Sequence, residues 1–444
     1  MKLHSTPHAI ALVTAALLGS GAGAAHAQSL KDLYDAARGY DATFMAAKAQ
    51  ADSAQFKAAQ ADALFLPSVG AQADLNRKGY DTPLGGSRNA RTASIGVNAT
   101  QSLYNPANSA SVDKARRALD VAASDLQSAE QDLIVRLSQA YFDVLAAQDT
   151  LTTAQANKKG ISEQLASAKR NFEVGTATIT DTREAQAKFD LSTAQVIAAE
   201  NDLRTKRVAL DLLVGKNGVT PMALKKVSPL PVAAGGGVED WVAHVEESPQ
   251  VRKAKAGLDI AKAEVQRTES GHKPTVDLNG SLGTAKNQGS YAISSLGGEG
   301  TSRNNSIGLT VKLPLYSGGA VDNQVREALK LEEKARFDLE GARRALTQST
   351  RQAYLGVESG KARVAALEAA ESSSKLALES TQLGYKVGVR VNLDVLNAQT
   401  QLYSTQADLA KARYDLLVTS LKLRQAAGTL AAADLDPVNA LLQP

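Results

Sequence analysis

The chain has 444 residues, a formal net charge of +4, 43% hydrophobic and 4% aromatic residues, and no cysteine. That apolar fraction excludes wholesale disorder, and the missing cysteine excludes disulfides, thiol catalysis, Cys-ligated metal centres and a lipid anchor on an N-terminal Cys. The small positive charge is spread along the chain and gives no footing for nucleic acid, while the abundance of Ala, Gln, Ser and Leu favours long helices packed through small side chains.

Residues 1–27 read as a secretory signal. Lys2 precedes an apolar run from Ala9 to Leu18, too short to span a bilayer, and Ala25-His26-Ala27 offers a cleavage pattern. The mature chain then begins at Gln28. His4, His8 and His26 leave with the signal, so His244 and His272 are all that remains for a histidine metal site. No metal or cofactor is expected.

Residues 28–215 read as helix, β-hairpin, very long helix, tip turn and helix. In the hairpin, about 67–104, Val69, Ala71, Ala73 and Leu75 alternate with polar residues or Gly, as do Ala93, Ile95, Val97 and Ala99; 79–90 reads as its loop. From about Asn108 to Arg170 no Pro intervenes, and Leu126, Leu133 and Ala140 recur at heptad spacing, the pattern of a coiled-coil seam. Val174 and Gly175 mark a turn, after which Thr180-Asp181 offers caps to restart a helix. A Pro/Gly connector follows at 216–237.

Residues 238–428 repeat the scheme. The second hairpin, about 274–316, carries Val276, Leu278 and Leu282 on one strand and Ile307, Leu309, Val311, Leu313 and Leu315 on the other, with a loop at 286–304. A helix from about Ala320 to Leu383 places Leu339, Leu346, Ala353, Leu367, Leu376 and Leu383 on its seam. Val387 and Gly388 form the second turn, with Asn392 as its cap, and 429–444 is a short tail. Residues 171–215 align without a gap on 384–428, so the chain is a tandem structural repeat.

Each alternating segment runs about ten residues, enough for a tilted transmembrane strand. A soluble sandwich with one wet face stays open on pattern alone. Four strands cannot close a barrel, whereas two or three chains would supply eight or twelve. Export, absent cysteine and small apolar residues favour the shared barrel.

The stretches 170–181 (RNFEVGTATITD) and 381–417 (TQLGYKVGVRVNLDVLNAQTQLYSTQADLAKARYDLL) resemble the TolC family of outer-membrane channel-tunnels, and the resemblance covers nearly all of the mature chain. It implies a mixed α and β membrane protein: a trimeric twelve-stranded barrel, four strands per chain, continuous with a long α-helical coiled-coil barrel in the periplasm. An equatorial belt would be built from the connector and tail. It also implies the exit duct of a tripartite system for type I protein secretion or small-molecule efflux, whose partners are a periplasmic adaptor and an inner-membrane ABC, RND or MFS transporter. The positions matching the family's periplasmic gate are Thr180, Asp181, Tyr385 and Arg390; an Arg can fork onto a carboxylate and a neighbouring hydroxyl, and a Tyr can add a bond. Asp181 as an ordinary helix cap and Arg390 as a solvated tip charge are alternatives. Asp394 matches the pore constriction, where three copies would ring the axis. Asn397 replaces the family's second acidic residue, halving the carboxylates and putting cation selectivity in doubt. Adaptors would dock near the turns at Val174, Gly175, Val387 and Gly388. No enzyme motif is present, neither G-x-x-x-x-G-K-[ST] nor H-E-x-x-H. A non-conducting coiled-coil scaffold or adhesin is the alternative from another class.

Overall fold

A computed structural model describes residues 27–82, 86–225, 230, 236–289 and 299–443. The signal segment up to residue 26, the hairpin tips 83–85 and 290–298, and most of the connector from 226 to 235 lie outside the described residues.

In chain order the elements are α1 (Leu30–Arg38), α2 (Ala42–Asp62), β1 (Ser68–Thr82), β2 (Gly86–Tyr104), α3 (Pro106–Glu173), α4 (Ile179–Val214), β3 (Ala223–Leu224), α5 (Val238–Ala243), α6 (Pro249–Glu269), β4 (Thr275–Gln288), β5 (Gly300–Lys312), α7 (Ala320–Lys386), α8 (Asn392–Ala426), α9 (Leu435–Asn439) and β6 (Leu442–Gln443). The order from α2 to α4 recurs from α6 to α8.

The long helices α3 and α7 contain 68 and 67 residues, about 100 Å each at 1.5 Å per residue. Asn105 starts α3: its Oδ1 accepts from the backbone N–H of Ala107 and Asn108 at 3.0 and 3.3 Å, and Pro106 fills the first helical position, where a missing N–H costs nothing. α4 and α6 pack along α3, and α8 packs along both α3 and α7.

The main core lies midway along this bundle. Leu30, Leu33, Leu133, Ile134, Leu137, Tyr141, Phe142, Leu210, Leu417 and Leu421 are buried there. Phe142 stacks on Tyr414 with centroids 5.6 Å apart, and the Tyr414 hydroxyl donates to Asp149 at 2.7 Å. At the same level β3 pairs with β6, tying the connector to the tail. Asp41 is held here by a two-pronged bond from Arg136, both contacts at 3.1 Å, which keeps its carboxyl below the usual range.

The four long strands form one antiparallel sheet in the order β1-β2-β4-β5, so the two hairpins meet at β2 and β4. Its register gathers the apolar side chains on one face: Val69 opposite Ala99, Val97 opposite Leu282, Gly280 opposite Ile307. That face is uncovered, with Leu75 89%, Leu282 65% and Ile307 81% exposed. The other face satisfies its polar groups across strands: Thr100 donates to Asn279 at 3.2 Å, Asn279 to Thr310 at 3.1 Å, and the Ser281 and Ser306 hydroxyls lie 2.9 Å apart. An apolar face turned outward and a polar face bonded within itself is the inverse of a water-soluble sheet.

Three expectations are corrected. The strands run 15, 19, 14 and 13 residues rather than about ten. The pairing continues past the apolar band because each further pair, from Arg77 opposite Arg91 to Thr82 opposite Gly86, extends the backbone ladder; much of 79–90 is therefore strand. Likewise β4 reaches Gln288 and β5 starts at Gly300, so the second loop is shorter than 286–304. Finally, Leu376 and Leu383 are not buried in the chain's own seam: they stand 65% and 63% exposed.

Candidate functional site at the helical tips

Two matching turns close the far ends of the helical hairpins. In the first, the Val174 N–H donates to the Arg170 carbonyl and the Gly175 N–H to that of Phe172, while Thr176 and Ala177 donate to Asn171. In the second, Val387 donates to Leu383, Gly388 to Tyr385, and Val389 and Arg390 to Gly384. Gly175 and Gly388 sit at φ +80° and +82°, the left-handed conformation that ends a helix and favours glycine. Apolar side chains stand out around both turns: Val174 is 72%, Val387 66% and Val389 75% exposed.

Inward from the tips, α3 faces the inner hairpin across a polar ladder that sequence reading missed. Asn171 Nδ2 donates to Tyr385 Oη at 3.3 Å. Gln164 Nε2 donates to Asn392 Oδ1 at 2.6 Å. Gln399 Nε2 donates to the Asn157 carbonyl at 3.1 Å. The step from Gln164 to Asn157 along α3 is matched by Asn392 to Gln399 along the antiparallel α8, one heptad on each helix, while Tyr385, at the end of α7 before the turn, meets Asn171 one heptad nearer the tip. Asn157, Asn392 and Gln399 are buried, and Ile161, Leu165 and Leu396 fill the spaces between rungs. Gly160 makes the last rung possible: a Cβ there would lie 2.1 Å from Gln399 Nε2. The signal lies in the sequence as polar amides repeating by seven, Asn157, Gln164 and Asn171 in one half and Asn392 and Gln399 in the other, beside the stronger apolar repeats.

The four gate positions are not brought together within one chain. Asp181 is the third residue of α4 and closes a capping box with Thr178: Thr178 Oγ1 donates to Asp181 Oδ2 at 2.7 Å, and the Asp181 N–H donates to Thr178 Oγ1 at 3.2 Å. The capping residue of α4 is therefore Thr178, not Thr180 or Asp181, because its extended backbone puts the hydroxyl over the free N–H groups. Thr180 is exposed. Asn392 does not cap α8 either; Val391 takes that place, its N–H donating to Asp394 Oδ2 at 3.4 Å, while Asn392 turns inward to Gln164. Arg390 Nη1 lies 3.7 Å from Asp394 Oδ2, a loose one-turn pair with the arginine 61% exposed. Tyr385 bonds Asn171 rather than a carboxylate. Asn397 is exposed, one turn beyond Asp394. Among the described residues no group of three or more His, Asp or Glu side chains is placed to hold a metal ion.

A four-stranded sheet with one uncovered apolar face, joined to helical hairpins about 100 Å long with polar side-chain pairs near their tips, defines a mixed α and β protein whose sheet is carried on a helical stalk. No helix among the described residues is long and apolar enough to cross a membrane. The model of the outer membrane efflux protein family matches residues 33–216 and 243–429, and the chain belongs to that family, which places it in the outer membrane. Over 436 residues it is 33% identical to outer membrane protein TolC of Vibrio cholerae, covering 97% of this chain and 98% of that one. It is 33% identical over 323 residues to the alkaline protease secretion protein AprF of Pseudomonas aeruginosa, covering 71% and 65%. The solved structure of the outer membrane protein VceC of Vibrio cholerae superposes with a TM-score of 0.75 at 20% identity, over 90% of this chain and 96% of that chain, and shares the fold.

Proposed function

We propose that three mature chains assemble into a channel-tunnel: twelve strands close a barrel in the outer membrane, and the helical hairpins continue it as a barrel through the periplasm. The β3–β6 pair and α9 form its equatorial belt. The duct is the exit of a tripartite export system, joined at its tips by a periplasmic adaptor and fed by an inner-membrane ABC, RND or MFS transporter. The observation that carries this reading is the inverted sheet, whose apolar face has no cover within the chain and whose strands lead directly into the longest helices. Closure across three copies removes the free edges of β1 and β5 and gives the apolar face a lipid solvent. The secretion role in the name of its relative AprF supports protein cargo, and the family description supports small molecules equally.

At the tips, Arg390 of one chain reaches the exposed Thr180 and the outer oxygen of Asp181 on its neighbour, holding the duct shut beside the ladder within each chain. Asp394, with Asn397 one turn on, faces the axis and forms the constriction. Exposed Val174, Val387 and Val389 around Gly175 and Gly388 give the adaptor an apolar footing. Opening parts the α7–α8 hairpin from α3 and breaks the ladder; each neutral rung is worth about 1 kcal/mol, so partner binding suffices. The test is single-channel conductance of the detergent-purified protein in a planar bilayer, beside Arg390→Ser. The expected result is a small steady conductance that rises in the variant. Unchanged conductance would remove Arg390 from the gate, and failure to insert, with solubility in plain buffer, would overturn the channel.

A further inference from the structure

The apolar face of the sheet has two different edges. Beside the helices stands Tyr104, opposite Val276 and 50% exposed, with Tyr316, 88% exposed, in the segment after β5. At the opposite edge, on the same face, the register places Arg77 opposite Arg91, Lys286 opposite Ala93, and Arg303 opposite Thr284, itself opposite Ile95. All four cations are exposed, and among the described residues none is paired with a carboxylate. On β5, Arg303 lies nine residues from Lys312 at the strand's end; that is about 30 Å of strand, or about 23 Å of height at a barrel tilt near 40°. The cations therefore sit where one hydrocarbon layer ends. The nearest carboxylate on this face is Asp81, four residues beyond Arg77 on β1. Glu299 is turned to the Gly289 N–H at 2.6 Å.

We propose that Arg77, Arg91, Lys286 and Arg303 form a binding surface for the phosphate groups of an acylated, phosphorylated glycolipid in the outer leaflet. The inference rests on the outer-membrane reading above, because the helices, running from the tyrosine edge toward the periplasm, leave the basic edge outermost. The chemistry fits one lipid: its phosphates meet guanidinium and ammonium groups that donate outward, and its acyl chains lie along Ile95, Leu282 and Ile307 just below. A guanidinium forks onto phosphate oxygens, and Arg supplies three of the four cations. A free phosphate would gain only the charged half of this surface.

The experiment uses the full mature protein in nanodiscs of zwitterionic lipid, titrated with bisphosphorylated lipid A, with the same lipid stripped of phosphate, or with inorganic phosphate. Bound glycolipid is counted by native mass spectrometry. The wild type is expected to hold bisphosphorylated lipid A at least about tenfold more tightly than the stripped lipid. The quadruple variant Arg77→Gln, Arg91→Gln, Lys286→Gln, Arg303→Gln is expected to lose that preference, and the charge-keeping variant with Arg and Lys exchanged to retain most of it. If the quadruple variant does not insert, the doubles R77Q/R91Q and K286Q/R303Q replace it, each expected to lose part of the preference. Equal retention of both lipids by the wild type, or displacement of lipid A by millimolar phosphate, overturns the proposal while leaving a conducting channel intact. Failure of the wild type to enter any nanodisc overturns the membrane reading together with it.

Discussion

Gly160 is where one hydrogen atom decides a contact. In an exposed helix, Ala would be better than Gly by about 1 kcal/mol, but here a Cβ would collide with Gln399 and expel a buried amide from the Asn157 carbonyl. Gly160→Ala is expected to destabilise the protein by about 1–3 kcal/mol, the penalty for an unsatisfied buried polar group. Gly341, on α7 with open space around it, serves as control: its Ala variant is expected to be neutral or stabilising by up to about 1 kcal/mol in the same thermal melt. Glu264 sets a pH response. It accepts from Arg267 at 2.6 Å and from Lys114 across the helix interface at 3.0 Å, and these bonds hold its carboxyl at about 2. Its folded pKa is depressed, so its contribution is full above about pH 4.5 and fades as pH falls toward 2. Unfolding measured from pH 6 down to about 2 should steepen in the wild type relative to Glu264→Gln; parallel curves would show that the pair is solvated away.

At the scale of the element, the two tip turns share backbone hydrogen bonds but differ in their caps. Thr178 and Asp181 build a reciprocal box, whereas Val391 leaves α8 with only the Asp394 carboxylate. Thr178→Ala is expected to destabilise the first tip by about 0.5–2 kcal/mol, read as faster amide exchange over residues 176–184. Thr180→Ala, which removes a hydroxyl with no partner among the described residues, should leave that exchange unchanged yet raise conductance in the assembled channel. If both variants change exchange equally, Thr180 belongs to the helix start and not to a neighbour's arginine. The ladder couples the tips to the shaft: it is buried enough to fix which heptads of α3 and α8 meet, and neutral, so parting it carries no charge-desolvation penalty.

At the scale of the whole molecule, the exposed apolar surface is the governing fact. Val69, Leu75, Ile95, Leu282, Ile307, Leu309 and Val311 turn one way on the sheet, and Leu355, Leu376 and Leu383 stand out along α7. A monomer in water would expose far more contiguous apolar area than soluble proteins tolerate. In the proposed channel the sheet's share goes to lipid, and the helical share is expected to be covered by neighbouring copies. Light scattering of the detergent-extracted protein, corrected for detergent, should give the mass of three mature chains. A monomer would leave Leu376 and Leu383 without cover and sink the proposed helical barrel.

Much of the fold is legible in the residues because its signals are local. Period two in Val69–Leu75 and Ile307–Leu315 marks strands, sixty residues without Pro mark a helix near Asn108–Arg170, and V-G pairs mark the turns, since each is a preference of the backbone over a few residues. The family's gate positions were legible only by resemblance. What the chain's own sequence did not determine is which distant groups meet. Asn171 finding Tyr385, Gln164 finding Asn392 and Gln399 finding Asn157 depends on the register of two hairpins whose tips must align, a relation between segments more than 200 residues apart. The same holds for β2 meeting β4, and for Asp181 turning to Thr178 rather than outward. The sequence by itself determined the elements and the side each strand keeps apolar. Only the tertiary structure decided the partners, because hydrogen bonds act over about 3 Å and such distances exist only after packing has chosen a register.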